Sequence, residues 1–114
     1  MKVEIIKQKI NKEKLKSIAE DGYGDMVKVA ADIEKQVLAI GGEFHSDCSE
    51  ALIENGSEPR DIWGANIYIN KPGSERIEFT ALINIRPYDS NRSMEIQNEN
   101  IKAKIRDIID KFVE

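Results

Sequence analysis

The chain has 114 residues and a mass of 12.9 kDa, enough for one domain around one hydrophobic core. Hydrophobic residues at 40% and charged residues at 33% exclude an intrinsically disordered chain, and a net charge of −4 opposes general attraction to nucleic-acid phosphates. No apolar run reaches the roughly 20 residues of a membrane span, and Glu4 interrupts the amino terminus before a signal-type apolar core can form. A single domain over residues 1–114 is expected, cytoplasmic, with neither nucleic acid nor membrane as partner. The lone cysteine, Cys48, can make no internal disulfide and is too few for a cysteine-based zinc site.

Val3, Ile5 and Ile6 predict a short first strand. Asn11 then caps a helix through Leu15, Ile18 and Ala19, with Ile10 and Leu15 at hydrophobic-staple spacing. Gly22 and Gly24 break that helix. From Met26 onward two periods compete, because Met26, Ala30, Ile33 and Val37 recur at helical spacing while Val27, Val29, Ala31 and Ile33 alternate as in a strand. The density of Val and Ile decides for a hairpin that turns at Glu34-Lys35 and returns through Leu38, Ile40 and Phe44.

Asp47 and Glu50 have capping-box spacing, and Asn55-Gly56 supplies a left-handed stop, so a short helix is expected between them. Trp63, Ala65, Ile67 and Ile69 alternate with more polar positions, and Ile77, Phe79, Ala81, Ile83 and Ile85 do so again after the Lys71-Pro72-Gly73 turn. The last element is a helix whose stripe of Ile101, Ile105, Ile108, Ile109 and Phe112 needs a sheet to cover. Left uncovered, the same stripe would mark a homo-oligomer surface. The fold class is therefore α+β: a mainly antiparallel sheet of about five strands with three helices packed on one face, in the order β-α-β-β-α-β-β-α.

Two clusters carry the candidate chemistry. If the return strand continues through Gly41-Gly42, then Glu43, His45 and Asp47 alternate onto one side, where they could hold a metal or exchange protons. Asp47 has a competing role as helix cap, and an isolated His-x-Asp lacks the ligand spacing of a zinc motif. Cys48 near a helix start invites a Cys-His nucleophile reading, although a free cysteine is more commonly a small buried hydrophobe. Arg86, Asn91 and Arg92 lie in a polar loop that could capture a carboxylate or phosphate, against the plainer reading of a solvated turn. The amino-terminal lysines lack interleaved aromatics and read as a solvated face, while Trp63 reads as core.

Gly41-Gly42-Glu43 with His45 and Asp47, Glu54-Asn55-Gly56-Ser57, Asp61-Ile62-Trp63-Gly64 with Asn66, and Ile83-Asn84-Ile85-Arg86-Pro87 with Asn91-Arg92-Ser93 together carry a resemblance. The chain resembles, over nearly its whole length, an uncharacterised family of short prokaryotic proteins of about 110 residues classed as a domain of unknown function. That resemblance implies a stand-alone domain and transfers no activity, cofactor or site residue. The expected function is a regulatory domain that binds a small anionic ligand, held by Arg86, Asn91 and Arg92, or a protein partner. The alternative is a small metal-assisted or acid-base hydrolase using Glu43, His45 and Asp47.

Overall fold

The computed structural model describes residues 1–114. Its strands are β1 (Glu4–Ile6), β2 (Met26–Asp32), β3 (Val37–Ile40), β4 (Ile62–Tyr68) and β5 (Ile77–Glu78), and its helices are α1 (Lys12–Glu20), α2 (His45–Glu54) and α3 (Glu99–Phe112). The sheet order is β1-β3-β2-β4-β5 and every pairing is antiparallel, so the α+β class and the element order stand as expected.

The competing periods at Met26 resolve as the hairpin of β2 and β3, closed by Asp32 opposite Val37. The turn spans four residues and puts Gln36 at a φ of 56°, where glycine would be less strained. Buried Asp32 holds the turn: its carboxylate accepts hydrogen bonds from the Glu34 and Lys35 amides, each at 2.9 Å, and from the Ser57 hydroxyl at 2.6 Å. The last contact ties the hairpin to the end of α2.

The helices do not share one face of the sheet. Leu15 and Ala19 of α1 and Ile105, Ile108, Ile109 and Phe112 of α3 bury against Val27, Val29, Ala31, Leu38, Ile40, Ala65 and Ile67. Helix α2 lies on the opposite face, where Cys48 and Leu52 pack on Ala30, Ala39 and Ile62. Successive strand residues point to opposite faces, and Ala30 and Ala39 are the opposite-face neighbours of Val29 and Ile40. Two helices therefore cover one side of the sheet and a single helix covers part of the other.

Strand β5 is the main departure from the expected elements. Alternation predicts a strand through Ile85, yet pairing with β4 stops after Ile77 and Glu78, and a 3-10 turn occupies Leu82–Asn84. Asn84 explains the break. Its side-chain Oδ1 accepts from the Gly64 amide at 2.8 Å and its Nδ2 donates to the Gly64 carbonyl at 3.0 Å, so a side-chain amide replaces the neighbouring strand's peptide group. Gly64 permits the approach, since a Cβ there would sit 2.6 Å from the Ala81 Cβ. Ile85 is consequently exposed, not part of a strand's buried face, and Leu82 is exposed as well.

Candidate functional site

The return strand ends at Ile40, before Glu43, His45 and Asp47, so the alternation expected to place those three on one side does not apply. His45 is instead the first residue of α2, and Phe44, not Asp47, is its N-cap. Asp47 caps from the third helical position: its carboxylate accepts the Phe44 amide at 3.0 Å. No group of three or more His, Cys, Asp and Glu side chains is arranged to hold a metal ion. Cys48, also further into the helix than expected, is fully buried and its thiol donates to the Gly41 carbonyl at 3.1 Å. Burial and the adjacent Asp47 push that thiol up to about 12, so it carries no thiolate at neutral pH.

His45 reaches across to β4. Its Nε2 lies 3.0 Å from the Ala65 carbonyl and 2.8 Å from Asn66 Oδ1. The Asn66 amide is oriented by its other end, where Nδ2 donates to the Glu78 carboxylate at 2.8 Å and to the Thr80 carbonyl at 3.3 Å. Both partners of His45 Nε2 are acceptors, so Nε2 carries the proton and Nδ1 holds the lone pair. Desolvation lowers the imidazole pKa below its ordinary 6.5, against the opposing effects of the Asn66 and Ala65 bonds, and Lys28 lowers it further. The Lys28 ammonium lies 5.0 Å from the Tyr23 ring and 5.6 Å from the Phe44 ring. These residues occupy the part of the sheet's second face that lies beyond the Cys48–Leu52 packing of α2.

Arg86 and Asn91 do meet: they pair through their backbones, with the Arg86 amide 2.6 Å from the Asn91 carbonyl and the return bond at 3.0 Å. Their side chains are occupied by the protein. The Asn91 Nδ2 donates to the carbonyls of Asn84, Ser93 and Glu95, and its Oδ1 accepts from the Gln97 amide. The Arg86 guanidinium stacks 4.1 Å from the Trp63 ring, donates to the carbonyls of Arg60 and Ile83, and pairs with Asp89 at 3.8 Å. Desolvation lowers the Arg86 pKa, with Asp89 and Asp61 opposing. Arg92 alone of the three is exposed and makes no ion pair. Beside this loop, Leu82, Ile85, Tyr88 and Met94 are exposed apolar or aromatic side chains.

A larger cavity, about 880 Å³, opens between α1, the β4–β5 connection and the end of α3. Its walls are joined by long-range contacts. Ile10 bridges Val113, and Arg76 binds the carbonyls of Glu114 at 2.8 Å and Val113 at 3.0 Å and the Asp110 carboxylate at 3.2 Å. Arg76 is thereby spent on holding the end of α3 in place. Lys12, Lys16 and Lys71 also line the cavity, are exposed, and have no carboxylate partner. Lys71 rests 4.5 Å from the face of Tyr68, which lines the same wall. In the sequence Lys12 and Lys16 belong to what reads as a solvated face. Their spacing of four places them on one side of α1, but only the fold brings them to Lys71.

No helix is long and apolar enough to cross a membrane. No curated protein and no solved structure matches the chain. The family model described as "Protein of unknown function (DUF5674)" matches residues 4–112, and the chain belongs to that family.

Proposed function

We propose that this domain binds a small, multiply charged anion in the cavity between α1 and the β4–β5 connection. The supporting observation is the contrast between its cations: Arg76 is consumed by Asp110 and two carbonyls, whereas Lys12, Lys16 and Lys71 have no acidic partner. Three ammonium groups without a carboxylate partner gather around one cavity of about 880 Å³ in a chain of net charge −4, and together with Arg76 they outnumber the Asp110 and Glu114 carboxylates on its walls. That volume lies within the range of small-molecule sites, and each ammonium within reach of a phosphate or carboxylate contributes about 1 kcal/mol in water and more where solvent is partly excluded. Tyr68 adds an aromatic wall, its hydroxyl donating to the Glu78 carboxylate at 3.3 Å.

Isothermal titration with inorganic pyrophosphate and with citrate tests this reading. Pyrophosphate binding that weakens at least about tenfold in Lys16→Glu and in Lys71→Glu, equivalent to about 1.4 kcal/mol, is the expected result. Added salt should weaken it as well. Binding equal in parent and variants, or none to either anion at millimolar concentration, rejects the cavity as the site. A protein partner is the second reading, carried by the exposed side chains Leu82, Ile85, Tyr88 and Met94.

A further inference from the structure

We propose that His45 is a general base for water attack on a carboxylic ester, positioned by Asn66 and Glu78, at a site separate from the anion cavity. The first support is the fixed tautomer. Ala65 O and Asn66 Oδ1 can only accept, and the Asn66 amide cannot be reversed without facing its oxygen toward the Glu78 carboxylate and the Thr80 carbonyl. The imidazole thus presents Nδ1 as its basic atom. The second support is access. No protein group bonds Nδ1, and no buried side-chain nitrogen or oxygen in the molecule lacks a partner, so Nδ1 is open to solvent.

A neutral imidazole at pH 7, with one nitrogen held and the other free, is the form a general base needs. In the reaction, water gives a proton to Nδ1 as its oxygen attacks the ester carbonyl carbon. The tetrahedral oxyanion then expels the alcohol oxygen, which takes the proton back from Nδ1 and leaves a carboxylic acid and an alcohol. The transient imidazolium keeps its Nε2–H shared between Ala65 and Asn66, while the Glu78 carboxylate behind Asn66 favours the positive charge. Lys28 on β2, opposite Asn66 in the sheet, is the opposing charge, and its ammonium lies over the exposed Phe44 and Tyr23 rings. This arrangement replaces Glu43 and Asp47 with Asn66 and Glu78 as the partners of His45.

The test uses the intact chain and p-nitrophenyl acetate. Hydrolysis should exceed that of an equal concentration of free imidazole by at least about a hundredfold, the lower range of positioned acid-base catalysis, and His45→Gln should abolish the excess. Nitrogen-15 NMR should find the proton on Nε2 in the parent. Glu78→Gln should lower the midpoint of the pH–rate profile and Lys28→Met should raise it, shifts that a purely structural role for these residues would not produce. A rate at the free-imidazole level, a rate unchanged in His45→Gln, or a proton on Nδ1 overturns the proposal. Lys16→Glu should leave the hydrolysis unchanged, so failure of the anion cavity and failure of this site are read separately.

Discussion

The loop from Arg86 to Ser93 and the cavity beside α1 are both rich in cations and turn-forming residues, but they use their donors differently. In the loop, Asn91 makes four side-chain hydrogen bonds and Arg86 is stacked, bonded and paired within the protein. In the cavity, Arg76 is occupied in the same way, yet Lys12, Lys16 and Lys71 are left without acidic partners. A cationic or amide side chain marks a binding site only when its donors remain unspent, and residue type alone does not reveal that. Arg86 and Asn91 are thus structural devices built from the side chains that ligand sites use, and Arg92 alone in that loop keeps its guanidinium unpaired.

Substitutions should separate the two regions by dissociating stability from binding. Asn91→Ala strands the Gln97 amide and three carbonyls that its amide now satisfies, and each orphaned buried group costs roughly 1–3 kcal/mol. Urea unfolding should show a loss of at least about 3 kcal/mol; a loss below 1 kcal/mol would mean the loop is not held this way. Arg86→Ala removes a guanidinium stacked on Trp63 and two bonds to carbonyls, for about 1–2 kcal/mol, and should leave pyrophosphate affinity unchanged. A tenfold loss of affinity in Arg86→Ala would return the anion site to the loop.

A smaller effect concerns His45. Its folded-state pKa is lowered from 6.5, chiefly by burial, so the unfolded chain takes up the proton more readily. The stability it contributes is fully present above pH 6.5 and is lost as pH falls below that value through the folded-state pKa. Relative to His45→Gln, the parent should lose unfolding free energy between pH 7.5 and pH 5. A constant difference between the two across that range would show that the imidazole is not held as described.

The patterns that depend on near neighbours in sequence were legible: the Asn11 cap, the β2–β3 hairpin, the apolar stripe of α3 and the element order. The patterns decided by distant partners were not. Ile83 and Ile85 continue a strand alternation perfectly well, but the Asn84 amide on Gly64 diverts the chain, a contact across twenty residues that periodicity cannot register. Nor does alternation show which face a helix chooses, and α2 chose the face opposite α1 and α3. The hydrogen-bond partners of His45 lie on β4 and β5, not among its sequence neighbours Glu43 and Asp47. The cavity was missed because its lysines come from α1 and from the β4–β5 connection, which the bridge between Ile10 and Val113 and the Arg76 contacts hold around a common space.

The most direct measurement is pyrophosphate titration of the parent, Lys16→Glu and Arg86→Ala side by side, with unfolding free energies for each. Lys16 is exposed and unpaired, so its reversal should change stability by no more than about 0.5 kcal/mol. Lys16→Glu is expected to lose affinity at near-constant stability, whereas Arg86→Ala is expected to lose stability at constant affinity. The opposite pattern, or binding that responds to neither substitution, contradicts the cavity as the anion site.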